Sequence, residues 1–92
     1  MIISLGDSAT HQFVEHGKSK FPGLDVDLAH QRLAELNATP SLEALGKLQS
    51  VGLHKLKGSL RRYWSINVNG RWRIHFLFND GNAYEVRITD PH

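Results

Sequence analysis

Residues 62–78 alternate between apolar and polar side chains, and the pair Asn69-Gly70 interrupts this run near its middle. A period of two is typical of half-buried strands, and Asn-Gly is a strong hairpin signal because both residues tolerate positive φ in a type I′ turn. The segment therefore predicts a β-hairpin with strands over residues 62–68 and 71–78. Trp64 and Trp72 fall on its apolar face, together with Ile66, Val68, Ile74, Phe76 and Phe78, and we expect this face to lie in the core.

Shorter patterns on either side of the hairpin predict the remaining strands and turns. Apolar residues at alternate positions indicate strands, and pairs such as Gly-Ser and Asp-Gly indicate turns between them. The further strands are predicted at residues 2–5, at residues 53–57 and at the alternating Tyr84, Val86 and Ile88, with turns at Gly58-Ser59 and Asp80-Gly81.

The first half of the chain has helical periodicity instead. Asp7 or Ser8 can cap a first helix that runs to about His16, and Gly17 suits its left-handed exit. Asp25 precedes a second helix that runs to about Asn37, and Ser41 can cap one further turn over residues 42–45. The second helix carries an apolar stripe made of Val26, Ala29, Leu33 and Leu36.

Composition supports one domain over residues 1–92, with 40% apolar residues and a modest core. The order of elements predicts an α+β fold, in which two N-terminal helices pack on one face of a twisted antiparallel sheet. The chain has no cysteine, which excludes disulfides and thiol nucleophiles and favours the cytosol. No apolar run approaches the ~18 residues that cross a bilayer, so we expect a cytoplasmic protein with no membrane partner.

Charge divides the chain into an acidic and a basic half. Residues 1–45 carry three Lys/Arg against six Asp/Glu, whereas residues 46–92 carry eight against three. Residues 47–75 contain seven Lys/Arg and no acid, although a solvated sheet face normally mixes both signs. The net charge of +2 conceals this division, which favours a polyanionic partner for the second half.

Basic side chains on the second face of the hairpin are candidates for phosphate binding. Arg71, Arg73 and His75 alternate with the apolar residues, so we expect them to face away from the core. Lys55 and Lys57 share one face of the preceding strand, and we expect them beside Arg73. Arg offers phosphate a planar bidentate fork and Lys a mobile point charge, although the same cluster suits an acidic protein segment. The candidate RNA-binding residues are Lys55, Arg61, Arg62, Arg71 and His75.

The histidines do not form a metal motif. His11 and His16 lie on different faces of the predicted first helix, and His30 and His54 are isolated, which favours surface or packing roles. We therefore predict no metal site. A strand period of two places Asp90 and His92 on one face, and the alternative is a frayed terminus.

Three segments resemble toxins of the RelE/HigB family of toxin–antitoxin systems, and the resemblance covers essentially the whole chain. The family's succession of motifs is present in Leu53–Gly58 (LHKLKG) and Tyr63–Ile74 (YWSINVNGRWRI), and again over residues 83–92. The family usually ends in Asp-Tyr-His, whereas this chain ends in Asp90-Pro91-His92. The position of the aromatic residue is therefore occupied by a proline, which has no ring to stack on a base.

The resemblance implies a RelE-like toxin fold and a ribonuclease that cuts mRNA in the ribosomal A site without a cofactor. It also implies a cognate helix-turn-helix antitoxin, similar to HigA, and operator DNA bound only through the toxin–antitoxin complex. Two alternatives remain: a catalytically weak or inactive relative that serves as antitoxin partner and co-repressor, and a gyrase-inhibiting toxin of related fold.

The positions that match the family's functional residues are Lys57, Arg73, Asp90 and His92. RNA is cleaved when its 2′-hydroxyl attacks the adjacent phosphate, which requires a base, an acid and cations beside the charged intermediate. Lys57 and Arg73 supply positive charge, and a histidine can exchange a proton near neutrality. Asp90 either orients His92 or acts as the base itself.

Overall fold

The computed structural model describes residues 1–91, so the predicted role of His92 lies outside the described residues. Three helices come first and a four-stranded sheet follows them. The helices are α1 (Ser8–His16), α2 (Val26–Ala38) and α3 (Leu42–Gly46), the strands are β1 (His54–Lys55), β2 (Trp64–Asn67), β3 (Arg73–Asn79) and β4 (Asn82–Thr89), and a 3₁₀ helix (Gly58–Leu60) joins β1 to β2. None of the described helices is long and apolar enough to cross a membrane.

The helix caps are those that the sequence predicts. Side-chain oxygens of Asp7, Asp25 and Ser41 accept hydrogen bonds from amides of the first turns, at 2.8, 3.1 and 3.0 Å respectively. These bonds satisfy amide groups that have no partner within the helix. Gly17 ends α1 in the left-handed conformation, with φ of 68°. Local side-chain chemistry therefore places the helix ends.

The helices cover one face of the sheet, as expected for the predicted α+β class. Of the predicted apolar stripe on α2, Ala29, Leu33 and Leu36 are buried, whereas Val26, at the first position of the helix, is 37% exposed. A buried hydrogen bond joins α1 to the sheet, since the Ile88 amide donates to the Thr10 hydroxyl at 2.9 Å. The core between these layers includes Phe13, Leu45, Ile66, Ile74, Phe76, Val86 and Ile88.

The four strands form an antiparallel meander in the order β1-β2-β3-β4. The predicted strand over residues 53–57 is limited to His54–Lys55, and Gly58-Ser59 begins the 3₁₀ helix. The predicted strand over residues 2–5 makes only two isolated parallel bridges to β4, Ile2 with Ala83 and Leu5 with Val86.

A bulge in β4 explains this broken pairing. Glu85 has φ of 49°, and its amide donates to the Ser4 hydroxyl at 2.9 Å instead of to a backbone carbonyl. The pairing with β3 shifts at the same point, between His75 and Leu77. The extra residue changes the alternation, so Ala83 is buried and Tyr84 is only half-buried.

The type I′ turn lies at Asp80-Gly81 and not at Asn69-Gly70. Asp80 and Gly81 have φ of 49° and 78°, and Asn79 pairs with Asn82 across them. At the other turn only Gly70 has positive φ. Asn69 uses its side chain instead, accepting from the Asp25 amide at 2.7 Å and donating to the Gly23 carbonyl at 2.9 Å. The predicted type I′ geometry of Asn69-Gly70 is therefore wrong, because Asn69 is held by the segment that precedes α2.

Candidate active site

The sheet face opposite the helices carries a polar row that crosses all four strands. His54 pairs with Ser65, Ser65 with His75, and His75 with Arg87, as directly opposite residues. Residues opposite one another on neighbouring strands lie within side-chain contact distance. We define the polar row as His54, Ser65, His75 and Arg87. It places two imidazoles, a hydroxyl and a guanidinium on one line across the sheet.

Arg73 lies in the adjacent row, between Asn67 of β2 and Thr89 of β4. Its Nη1 donates to two carbonyls, those of Gly70 and Trp72, each at 2.8 Å. These two bonds fix the guanidinium at the turn between β2 and β3. Within residues 1–91 the remaining nitrogens of the group make no further hydrogen bond, so Arg73 is a positioned cation beside the polar row.

The segment after β4 is joined to the same turn. Arg71 Nη2 lies 3.3 Å from Asp90 Oδ2, and Asp90 directly follows Thr89, the residue opposite Arg73. Arg71 is exposed while Asp90 is half-buried. The structure therefore brings together three predicted site residues, Arg71, Arg73 and Asp90, at one end of the outer face.

Lys57, Arg61 and Arg62 are exposed around the 3₁₀ helix that joins β1 to β2. Lys57 immediately precedes this helix, and Leu60 at its end lines a small cavity over His75. The connection between β1 and β2 therefore places three predicted site residues, Lys57, Arg61 and Arg62, at the border of the polar row.

Lys55 is not beside Arg73, contrary to the prediction. It pairs with Trp64, and its Nζ lies 5.1 Å from the Trp64 ring centroid, a cation–π contact. Trp64 packs against the core, so Lys55 lies on the helix side of the sheet edge, whereas Arg73 lies on the opposite face. The register of β1 explains the error, since it is His54 that points to the outer face.

His75 is not an exposed RNA-binding residue, which is a second correction. Its side is the predicted one, but the residue is only 5% exposed. Burial lowers the pKa of His75 below its usual 6.5, and the positive charges of Arg87, His54 and Arg73 lower it further. The ring is therefore neutral at pH 7 and is not a cation for phosphate.

Three members of the polar row have buried atoms without a partner among the described residues. These atoms are Ser65 Oγ, His75 Nε2 and Arg87 Nε. Buried polar atoms are almost always hydrogen-bonded, and exceptions require an explanation such as a bound molecule. A cavity of about 210 Å³ on the same face is lined by Leu60, Tyr63, His75, Arg87, Thr89 and Pro91.

Comparison with known proteins identifies the family. The family model described as the RelE-like toxin of the type II toxin–antitoxin system HigB matches residues 4–92. The chain belongs to the HigB-like toxins. A relative is the endoribonuclease HigB of Proteus vulgaris, which is 39% identical over 74 residues, covering 80% of this chain and 79% of that protein. Membership in a type II toxin–antitoxin family means that the partner of this toxin is an antitoxin protein.

Sequence reasoning missed two members of the polar row in this HigB-like toxin. His54 was interpreted as isolated, although it stands opposite Ser65, and Arg87 lies outside the acid-free stretch. Residues 73, 75, 87 and 89 are all odd-numbered, which could have suggested that they share one face of the sheet. Only the strand register shows that His54 lies on the same face.

His54 is also held in a defined orientation. Its Nδ1 lies 3.1 Å from the Gly52 carbonyl oxygen. A carbonyl can only accept a hydrogen bond, so in the neutral ring Nδ1 carries the proton and Nε2 has a free lone pair. The imidazole is exposed and can therefore accept a proton from a bound molecule.

Residues 1–91 contain no group of three or more His, Asp or Glu side chains arranged to hold a metal ion.

Proposed function

We propose that this HigB-like toxin is a metal-independent endoribonuclease that cuts mRNA on the ribosome and so inhibits translation. The observation that carries the proposal is the position of Arg73, which is fixed by two carbonyls beside a row containing an oriented imidazole. The Proteus vulgaris relative is an endoribonuclease, which supports the same reaction class.

The charged intermediate of the reaction requires positioned cations. Attack of the 2′-hydroxyl on the adjacent phosphate gives a pentacoordinate dianionic phosphorane, and the 5′-oxygen then leaves with a proton. Arg73 is the cation proposed to lie against this phosphate, because its orientation does not have to change during the reaction. A preorganised donor of this kind contributes about 3–4 kcal/mol to transition-state stabilisation in comparable sites. Lys57 is the proposed second cation.

Proton transfer is assigned to imidazole and carboxylate groups. His54 is the proposed base, since Nε2 of its neutral ring has a free lone pair. Asp90 and His92 are the further candidates, with Asp90 held near Arg73 by Arg71 and His92 proposed from its chemistry and its place in the sequence. His75 is excluded from phosphate binding because it is buried and neutral.

The partners follow from this activity. The RNA substrate is proposed to follow the exposed cations Arg61, Arg62 and Arg71, and translating ribosomes supply the oriented mRNA that a site without a strong base requires. We propose a HigA-like helix-turn-helix antitoxin as the specific partner, operator DNA bound only through that complex, and action in the cytoplasm.

The test compares two exposed lysines of the acid-free stretch. Cells expressing the wild type, Lys57→Ala, Lys47→Ala or Arg73→Ala are induced, and new 5′ ends in translated mRNA are mapped by primer extension. We expect cuts with the wild type and with Lys47→Ala, and a loss of roughly 100-fold or more with Arg73→Ala or Lys57→Ala. Purified mRNA without ribosomes should remain uncut.

Pro91 favours a second candidate, a toxin relative that binds its antitoxin without cutting RNA, because it replaces the family's usual aromatic residue. Antitoxin binding by a wild type that produces no new 5′ ends would support this binder. Undiminished cutting by Arg73→Ala and Lys57→Ala would instead refute the assigned site, and gyrase-linked DNA damage with intact mRNA would indicate a gyrase inhibitor.

A further inference from the structure

The backbone departs from regular pairing with β2 just before β1 begins. At the other end of β1, the Leu56 amide donates to the carbonyl of the opposite residue, Tyr63, at 3.0 Å. In an antiparallel ladder this bonding recurs at every second residue, so it would next but one join the Asn67 amide to the Gly52 carbonyl. The Asn67 amide donates instead to the Val51 carbonyl, at 2.8 Å. The pairing has shifted by one residue, and the carbonyl of Gly52 is left outside the ladder.

Two left-handed residues produce this shift. Ser50 and Gly52 have φ of 67° and 60°, and they flank Val51, whose side chain is fully buried in the core. A left-handed conformation is uncommon for serine and is adopted freely by glycine. The carbonyl that leaves the ladder at Gly52 points to His54, with 3.1 Å between the oxygen and Nδ1. The same backbone conformation therefore interrupts the sheet and supplies the acceptor for the imidazole.

A buried guanidinium holds this segment from the helix side of the sheet. Arg32 of α2 is 3% exposed and donates to the carbonyls of Ser50 and Asn67, at 3.1 and 2.9 Å. One side chain therefore fixes the left-handed segment against β2. The side chain of Asn67 also lies directly against Gly52, because a Cβ on Gly52 would overlap Asn67 Nδ2 and lie 2.9 Å from Cγ. Both the conformation and the space at position 52 thus favour glycine.

We propose that Gly52 is a positioning residue, whose left-handed backbone holds the neutral ring of His54 with its proton on Nδ1. Arg32 braces this arrangement from the helix layer. The inference rests on the proposed ribonuclease function, in which His54 is the base, and adds to it the group that prepares that base. Nε2 keeps its lone pair and takes the proton of the 2′-hydroxyl as the 2′-oxygen attacks phosphorus. Without the carbonyl, the exposed ring exchanges between tautomers and orientations, and only a fraction of the molecules can react.

Two glycines of similar conformation provide a matched pair of variants. Gly52 and Gly17 have φ of 60° and 68°, and Gly17 ends α1, where an added Cβ would meet no neighbouring atom within 4 Å. Valine is strained at positive φ, so Gly52→Val and Gly17→Val should both lower the midpoint of thermal unfolding. Only Gly52→Val should turn away the carbonyl that holds His54. If Gly52→Val does not fold, Gly52→Ala and Gly17→Ala make the same comparison with less strain.

The direct test reads the tautomer of His54 in the full chain without ribosomes. Imidazole ¹⁵N signals are recorded by NMR at alkaline pH, and those of His54 are assigned by their loss in His54→Gln. We expect the Nδ1–H tautomer in the wild type and in Gly17→Val, and signals shifted toward the average of two exchanging tautomers in Gly52→Val. A wild-type ring with its proton mainly on Nε2 overturns the proposal, and so does an unchanged tautomer in Gly52→Val.

Cleavage rates separate this inference from the ribonuclease proposal. Where the wild type cuts mRNA on ribosomes, Gly52→Val should lower the rate at saturating toxin roughly tenfold or more and leave the half-saturating toxin concentration unchanged, because no phosphate contact is lost. Gly17→Val should retain both values. An unchanged rate in a Gly52→Val protein with an altered tautomer overturns the role of Gly52 in the reaction, while cutting stands. A wild type that never cuts overturns the ribonuclease proposal, and the imidazole signals then decide whether Gly52 orients His54.

Discussion

Arg71 and Asp90 form an ion pair, with 3.3 Å between Nη2 and Oδ2, that joins the turn after β2 to the segment after β4. Arg71 is 69% exposed, so the pair contributes little to the free energy of unfolding. Its effect is on position, because it holds the segment that carries Asp90 beside the turn that fixes Arg73.

Replacing Arg71 with alanine should therefore separate activity from stability. We expect mRNA cleavage to fall about 10- to 100-fold, since small displacements of reacting groups have effects of this size. The midpoint of thermal unfolding should change by less than about 4 °C. Lys47→Ala removes another exposed ion pair, Lys47 with Glu43 at 3.4 Å, and should change neither quantity. Full cleavage by Arg71→Ala would show that the pair does not position Asp90.

Arg32 should be a large contributor to stability. It is 3% exposed, and it donates to the carbonyls of Asn67 and Ser50 at 2.9 and 3.1 Å and to Glu35 at 2.9 Å. Arg32→Met leaves these acceptors unpaired, and we expect a loss of about 3–5 kcal/mol in urea unfolding. Glu35→Gln keeps an acceptor and should cost less than about 1.5 kcal/mol. Equal costs for the two variants would contradict this assignment.

Stability should depend on pH through His75. Folding lowers the pKa of this ring below 6.5, chiefly by burial, so below that pH the unfolded chain binds more protons than the folded one. The free energy of unfolding should therefore be retained above pH 6.5 and fall as the pH decreases, by at most about 1.4 kcal/mol per pH unit.

The control for this dependence is another histidine. In urea unfolding, His75→Gln should reduce the fall in the free energy of unfolding below pH 6.5. His11→Gln, at an exposed position of α1, should retain that fall. An unchanged slope in His75→Gln would refute the linkage.

Gly6 is expected to tolerate no side chain. A Cβ there would lie 2.7 Å from the Glu85 carbonyl oxygen and 2.7 Å from Arg87 Nε. The Gly6 amide also donates to the Val86 carbonyl at 2.8 Å, so the segment cannot move away freely. Gly6→Ala should cost about 1–3 kcal/mol and displace Arg87 from the polar row.

Gly46→Ala is the matched substitution, because its Cβ would meet only Leu53 at 3.4 Å and the residue lies in α3. We expect Gly46→Ala to be neutral or slightly stabilising when the two variants are compared by thermal unfolding. A Gly6→Ala protein as stable as Gly46→Ala would show that the N-terminal segment shifts to accommodate the added Cβ.

The parts of the fold that depend on neighbouring residues could be predicted from the sequence. The caps at Asp7, Asp25 and Ser41 act within three residues, and the meander follows from alternating patterns separated by turns. The burial of His75, which is 5% exposed, could not be predicted, because alternation alone leaves that face of the sheet open.

The candidate site divides in the same way. Residue type and family resemblance identified Lys57, Arg73 and Asp90, which stay predictions as catalytic residues. The side of Lys55, the alignment of His54 with His75 and the bulge at Glu85 are consequences of register between strands. Register is set by long-range contacts, so a single sequence pattern did not specify it.

The hydrogen bonds of Asn69 affect the accuracy with which β2 and β3 pair. A two-residue type I′ turn such as Asp80-Gly81 defines the alignment of its own strands, but the turn at Asn69 lacks that geometry. The Trp72 amide closes this turn by donating to the Asn69 carbonyl at 2.9 Å, and the side chain of Asn69 adds bonds to Gly23 and Asp25 from outside the hairpin. A slip of one position in this hairpin would turn Arg73 toward the core. The loop before α2 therefore helps to set the strand alignment that places Arg73 on the outer face of the sheet.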